Sequence, residues 1–338
     1  QASGGILRSQ PGRVAHHLTA AGRLDEALAL WLTAAQRAFS QAANAEAADL
    51  AEQGLHLAVF LEATPERRDS WRHLLHILGK ARVTLHGYGA PSVAAAFRAA
   101  LALGPEQELT PKLRFEALWG LWLGTASREG HGQGQRLARE LSEIAGITED
   151  RRCRWGADFA LTASAYWLGD LAQAEVHARQ GAGWDDPDAA GWHHRESAQE
   201  RIECFGFDTV ALCLSYLGMI WWHRGYAEQA VMVLDRAQAL AEAVRHPYTQ
   251  GAVLSYRMVL RQYRREPGRV RETAHRLIAV AEDGGSPLHA NAGRLMAGWA
   301  DVAEGQPAAL PGLEGQGSVA QMRQAAGGMA AMTLSRVG

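Results

Sequence analysis

The stretch LSYLGMIWWHRGYAEQAV, Leu214–Val231, contains the pattern that decides the fold. Large apolar residues recur three and four positions apart up to Trp222, a glycine follows at Gly225, and small residues resume at Ala230. Apolar residues at this spacing share one face of an α-helix, and a glycine between two such segments is typical of a tight turn. The stretch therefore predicts two antiparallel helices joined at Gly225.

The order of side chains in this helix pair resembles the tetratricopeptide repeat. The positions that carry the resemblance are Leu214, Leu217, Gly218, Trp221, Ala230, Leu234 and Ala237. Small residues at Gly218, Ala230 and Ala237 let the two helices approach closely, and the large ones fill the space between them. We therefore expect Leu217 and Trp221 to be buried.

Weaker copies of this pattern recur along the chain at intervals of about 40 residues, apart from one longer gap. The equivalent turn positions are Tyr88, Gly130, Gly169, Gly225, Arg265 and Gly305. Segments rich in alternating β-branched residues are scarce, which argues against strands. The sequence predicts an all-α, tetratricopeptide-like solenoid of antiparallel helix pairs that spans residues 1–338 as one right-handed superhelix.

Two segments depart from the repeat. Residues 183–208 form an insertion, and residues 305–317 form a loose segment rich in glycine and proline. Insertions in repeat proteins lie in loops on one face, which is often the binding face. Since the chain begins with Gln1 and not with methionine, we expect it to be a piece of a longer polypeptide.

Composition argues against several classes of partner. The 338 residues carry a formal net charge of -2, so there is no excess of positive charge for nucleic acid or anionic lipid. The apolar segment Val210 to Trp222 is too short to cross a bilayer. Three cysteines without metal or disulfide spacing fit a reducing compartment. We predict a cytoplasmic chain with no nucleic-acid or membrane partner.

No motif for catalysis, cofactor or metal is complete. Gly79-Lys80 lacks the rest of a phosphate loop, because Leu74 stands where the first glycine belongs and Ala81 replaces serine or threonine. The pairs His16-His17 and His193-His194 have no partner ligands at a metal-binding spacing. We predict that this chain is not an enzyme and holds no cofactor or metal.

Two charged helix faces have a simple interpretation. Glu196, Glu200 and Glu203 share one face at helical spacing, and we expect a solvated surface with Arg195 and Arg201 beside it. The basic residues between 257 and 276 are interrupted by acidic ones, which favours a solvated helix face over a nucleic-acid surface.

Aromatic residues near the turns suggest a binding surface. If the first helix of each pair lines the concave side, residues two and three places before each turn face one groove. These residues, with Tyr263 and Trp299 in comparable positions, are Arg128, Tyr166, Trp167, Trp222, His223, Tyr263 and Trp299. We predict a concave groove for a protein, peptide or small ligand, with Arg128 available for an acidic group. The alternative is that the aromatic residues are buried between repeats.

A wider resemblance covers about residues 10 to 335. The segments that carry it include QPGRVAHHLTAAGRLDEALALWLTAAQRA, GYGAPSVAAAFRAALAL and FGFDTVALCLSYLGMIWWHRGYAEQAV. In order, they resemble the helical-repeat region of bacterial STAND-type (AAA-like) ATPase regulators, which carry a class III adenylate/guanylate cyclase or a winged-helix DNA-binding domain. The resemblance implies a non-catalytic sensor or scaffold, with an ATPase domain in cis as its partner.

Two other functions stay open at this point. One is an all-α enzyme of the α/α-toroid type, which would use tryptophans to bind carbohydrate and paired glutamates for acid and base catalysis. The other is a peptide-responsive transcriptional regulator. Each requires elements that this sequence does not identify.

Overall fold

The computed structural model describes residues 11–41, 43–87, 89–105, 109–126, 131–148, 150–185, 195–284 and 286–305. These ranges contain fifteen α-helices and no β-strand. The chain divides into two compact units, Gln1–Glu140 and Leu141–Gly338, here called the N-terminal and C-terminal units. The prediction of an all-α fold built from helix pairs is confirmed.

In the N-terminal unit, each helix packs against the next one in sequence. The helices are α1 (Pro11–Ala20), α2 (Leu24–Ser40), α3 (Asn44–His56), α4 (Pro65–His86), α5 (Pro91–Ala102) and α6 (Pro111–Ala126), with a 3₁₀ turn at Leu57–Val59. Helix α2 also packs against α4, and α4 against α6. Contacts between helices one and two places apart in the chain are expected for stacked helix pairs.

The C-terminal unit repeats this arrangement around a central helix. Its helices are α7 (His131–Ile147, which begins before the boundary), α8 (Arg151–Trp167), α9 (Leu171–Ala182), α10 (Arg195–Phe205), α11 (Thr209–His223), α12 (Ala227–Val244), α13 (Pro247–Tyr263), α14 (Pro267–Asp283) and α15 (Pro287–Ala303). Helix α11 packs against α8, α9, α10, α12 and α13. Every residue from Thr209 to Trp221 is buried, so α11 is the core of this unit.

The repeat interpretation of the opening stretch is confirmed in detail. Leu217 is fully buried and Trp221 is only 7% exposed. At Gly218, a Cβ atom would lie 2.6 Å from Leu234 Cγ, so only glycine permits this approach of α12 to α11. Trp221 donates from Nε1 to Glu175 Oε1 at 2.9 Å, which also ties α11 to the preceding pair.

The backbone conformation shows that Arg265 occupies a repeat turn, although such a turn usually contains glycine. The backbone N–H of Gly225 donates to the carbonyl of Trp222, and that of Arg265 donates in the same way to Gln262. Gly225 has φ 91° and Arg265 has φ 57°, so both lie in the left-handed region. Of the other expected turn positions, Gly169 and Gly305 share this conformation, whereas Tyr88 and Gly130 lie outside the described residues.

The insertion is held by a buried ion pair that the sequence did not predict. Arg201 and Asp208 are both 0% exposed, and the guanidinium donates from Nε and Nη2 to the two carboxylate oxygens at 2.7 and 3.0 Å. The expectation that Arg201 lies on a solvated face is therefore wrong. Glu196 and Glu203 are exposed as expected, and Glu200 pairs with Arg151.

The other predicted segments fall partly outside the described ranges. This applies to residues 186–194 of the insertion, including His193 and His194, and to all of the loose segment after 305. That residues 1–338 form a single right-handed superhelix stays a prediction.

Within the described residues no single helix is long and apolar enough to cross a membrane. The segments Glu196–Phe205 and Thr209–His223 meet that criterion of length and composition only as a pair, and they are bent by 88°.

Replacing Trp221 with alanine is the first test of the helix packing. Trp221→Ala removes a buried indole and its hydrogen bond to Glu175, and we expect the free energy of unfolding to fall by about 3–5 kcal/mol. Met232→Ala, at a position 54% exposed on α12, serves as the control and should change it by less than about 0.5 kcal/mol. Urea unfolding followed by circular dichroism measures both. Equal effects of the two substitutions would contradict the packing.

A second pair of variants tests the turn at Arg265. Arg265→Gly relieves the left-handed conformation, and we expect it to leave the unfolding free energy unchanged or raise it by up to about 1 kcal/mol. Arg265→Val places a β-branched residue there and should lower it by about 1–2 kcal/mol. If both variants had the same stability, this position would not be a repeat turn.

Candidate functional site

Ring side chains from three first helices meet in the C-terminal unit. We call this set the aromatic row; its members are Tyr166 and Trp167 of α8, Tyr216, Trp222 and His223 of α11, and Tyr256 and Tyr263 of α13. The helices that carry it pack against one another, α8 with α11 and α11 with α13. The row therefore crosses three successive helix pairs.

The centre of the row is Tyr166. Its ring lies 5.2 Å from that of Tyr216 and 5.3 Å from that of Trp167, both edge to face, which is a favoured arrangement for aromatic pairs. Its hydroxyl oxygen is 3.2 Å from His223 Nε2, a hydrogen bond whose direction depends on the histidine tautomer. Tyr166 thus links α8 to two rings of α11, those of Tyr216 and His223.

Hydrogen bonds fix the rings further. Trp167 donates from Nε1 to the hydroxyl of Tyr216 at 3.1 Å. The Tyr256 ring lies 5.1 Å from the Tyr216 ring. Burial raises the pKa of Tyr166, Tyr216 and Tyr263 above the ordinary value, so these phenols stay neutral at physiological pH.

The far end of the row is a stack. The rings of Trp222 and Tyr263 are nearly parallel, at 12°, with centroids 6.3 Å apart, and His223 packs on Tyr263 at 5.7 Å. Five of the seven members are half-buried, namely Trp167, Trp222, His223, Tyr256 and Tyr263, whereas Tyr166 and Tyr216 are buried. The row is therefore a set of contacting rings, five of which retain some contact with solvent.

The structure brings five of the seven predicted site residues together in this row: Tyr166, Trp167, Trp222, His223 and Tyr263. Trp299 packs against the cluster that contains Met258, Leu277 and Ala300, and no ring contact joins it to the row among the described residues. Arg128 lies outside the described residues. That these residues form a ligand-binding groove stays a prediction.

The sequence prediction missed Tyr216 and Tyr256, although the sequence contains a signal for them. Phe159 and Tyr166, Tyr216 and His223, and Tyr256 and Tyr263 are each seven residues apart. Positions i and i+7 lie on the same helix face, so each of these helices presents two rings on one face. In α15 the corresponding positions are Met296 and Ala303, and the row therefore ends at α13.

Charges elsewhere on this unit are mostly used in ion pairs. In the basic segment, Arg264 pairs with Glu266, Arg271 with Glu304, and Arg276 with Glu242, at 2.6–2.7 Å. This agrees with the prediction of a solvated face. Among the described residues no group of three or more His, Cys, Asp or Glu is placed to hold a metal ion.

Comparisons with known proteins add little to this geometry. No family model matches the chain. It is similar to an uncharacterized protein of Rhizobium meliloti (strain 1021), with 22% identity over 296 residues that cover 86% of this chain and 27% of the relative. The chain thus spans about a quarter of the length of that relative.

A solved structure with a similar fold is that of a Rap protein complexed with competence and sporulation factor. The TM-score is 0.49 at 14% identity, over 82% of this chain and 74% of the Rap chain. Neither comparison assigns a family or a ligand to this chain.

Proposed function

We propose that the C-terminal unit is a non-catalytic binding scaffold whose aromatic row receives a peptide segment of a partner protein. The observation that carries this proposal is that three helices which pack on one another, α8, α11 and α13, bring seven rings into contact and that five of these side chains are only half-buried. A repeat array offers such a surface because each pair adds one element to a continuous face.

The chemistry of the row suits peptide recognition. Rings provide a large contact area with few rotatable bonds, and hydrogen bonds already hold Tyr166, Trp167, Tyr216 and His223, so these side chains lose little conformational entropy on binding. The half-buried side chains of His223 and Tyr263 supply polar atoms that can bind a peptide backbone. The stacked rings of Trp222 and Tyr263 offer apolar surface beside them.

The alternative, that these rings only pack the core, is less well supported. Adjacent residues 221 and 222 separate the two roles: Trp221 is buried against Glu175 and Trp184, whereas Trp222 keeps part of its ring in solvent. Half-exposed aromatic side chains that cluster on one face are typical of interaction surfaces.

We also propose that the chain acts within a larger cytoplasmic regulator, where partner binding controls an ATPase domain of the same polypeptide. Support comes from the resemblance to the repeat region of STAND-type regulators and from the greater length of the Rhizobium relative. Sequencing the gene beyond both ends of this chain tests the proposal. A phosphate loop of the Walker type is expected upstream, and its absence would contradict the ATPase assignment.

Substitution of Trp222 tests the binding surface. Peptides are first selected from a random displayed library on the wild-type protein, and their affinities are measured by calorimetry. Trp222→Ala should weaken binding at least about 30-fold, equivalent to about 2 kcal/mol, as for an interface hot spot. Because Trp222 is half-exposed, its removal should change the unfolding free energy by no more than about 1 kcal/mol.

Two controls accompany this measurement. Trp222→Phe keeps a ring on Tyr263 and should retain most of the affinity, and Met232→Ala should retain all of it. Selected peptides that bind Trp222→Ala as tightly as wild type would reject the aromatic row as the site. Failure to select any peptide with a Kd below roughly 100 μM would count equally against it.

A further inference from the structure

A concave feature lies in the same unit, away from the aromatic row. It is a cleft of about 500 Å³ between the end of α7, the first half of α8 and the end of α9. Its lining residues are Ser142, Ala145, Gly146, Arg154, Ala157, Asp158, Arg179, Gln180, Gly183 and Asp185. None of them belongs to the row, and the volume is in the range of small-molecule sites.

Asp158 is the acidic group of the cleft wall. The carboxylate is half-buried and has no hydrogen-bond or ion-pair partner among the described residues. Gly181 allows α9 to pack closely here, since a Cβ atom at that position would lie 3.0 Å from Asp158 Cβ and 2.7 Å from Cys213 Sγ. A carboxylate that is removed from water without a partner costs free energy, which a ligand with a positive group would offset.

Arg154 lies one helical turn before Asp158 on α8. Its side chain is exposed and, within the described part of the chain, makes no hydrogen bond or ion pair. The other arginine of the cleft differs, because Arg179 donates from Nε to Asp185 Oδ2 at 2.6 Å and also approaches Glu175 at 3.6 Å. Over the ranges that the structure describes, the cleft therefore presents one positive and one negative group that make no direct ion pair, about 5–6 Å apart at the Cβ level.

We infer that this cleft binds a small zwitterion with a free α-ammonium and a free α-carboxylate group, such as an α-amino acid, with Asp158 on the ammonium and Arg154 on the carboxylate. A simple cation would be repelled by Arg154, and a simple anion would be repelled by Asp158. A molecule that carries both charges satisfies both side chains, and arginine can hold a carboxylate by two parallel hydrogen bonds. This inference goes beyond the proposed function and does not depend on it.

The pairing predicts a pH dependence. The charged and titratable groups around Asp158 are Arg154 on its own helix, Arg179 and Asp185 at the end of α9, and Cys213 of α11. Burial raises the pKa of Asp158 to about 7, and Arg154 opposes this shift. Below that pH the carboxyl group of Asp158 is protonated in the free protein, and it must lose this proton when the ammonium group of the ligand binds. Affinity should therefore rise up to about tenfold per pH unit below pH 7 and level off above it.

The experiment uses the twenty free α-amino acids as probes, each screened by thermal shift on the whole chain and the best one measured by calorimetry between about pH 5.5 and 8. Asp158→Asn keeps the shape of the side chain and should weaken binding at least about tenfold at pH 7.5 and abolish the pH dependence. Arg154→Gln should weaken binding by a similar factor. Arg98→Gln, at an exposed position on α5, is the control and should bind as wild type.

Derivatives of the best probe assign each contact. The N-acetyl derivative lacks the ammonium, and the amide lacks the carboxylate, so both should bind the wild type at least about tenfold more weakly. The Arg154→Gln variant should bind the amide and the free acid with equal affinity. Absence of binding by all twenty probes up to about 10 mM would overturn the inference. So would binding that neither Asp158→Asn nor Arg154→Gln weakens.

Discussion

The buried ion pair between Arg201 and Asp208 is the constraint on which the C-terminal unit depends. Two charges without contact with water are tolerated only if their geometry is good and their remaining polar groups are satisfied. Here Arg201 Nε and Nη2 meet the two carboxylate oxygens and the guanidinium lies over the Trp155 ring at 4.9 Å, whereas Nη1 is buried without a hydrogen-bond partner among the described residues. The Asp208 carboxylate also accepts from the backbone N–H of Val210 and caps α11, and the backbone N–H of Asp208 donates to Thr249. Through these contacts the ion pair links four helices, α8, α10, α11 and α13.

Both functional proposals depend on this arrangement. Helix α11 begins next to the capping residue Asp208 and ends with Trp222 and His223, so its placement decides whether these rings meet Tyr166 and Tyr263. The same helix supports the back of the cleft, where Cys213 lies against Asp158 and Gly181. The row lies at the end of α8 and the cleft lies along its first half, which allows one unit to bind a peptide segment and a small zwitterion at separate places.

The sequence predicted the parts of this structure that follow from local periodicity. Gly218, Leu217 and Trp221 could be placed because close helix packing demands a small residue at one position and large ones beside it. Arg265 was hard to recognise because a left-handed turn usually selects glycine, and only the backbone shows that arginine adopts it here.

The residues whose roles the sequence did not predict fall into two groups, for two different reasons. Tyr216 and Tyr256 lie further from the turns than the positions expected to face the groove, and only their seven-residue spacing to His223 and Tyr263 marks them. Arg201 could not be predicted at all, since burial of its charge depends on a carboxylate and a ring that the fold brings together.

Hydrogen–deuterium exchange of Asp208→Asn, compared with wild type, tests most directly whether the ion pair organises the unit. The substitution leaves the buried guanidinium without its counter-charge while keeping the shape of the side chain. We expect faster exchange in peptides from α11 and also from the last turns of α8 and α13, which carry the row, with no change in α2 to α4 of the N-terminal unit. Faster exchange confined to residues 196–210 would contradict this account, because the row would then be held in place without the ion pair.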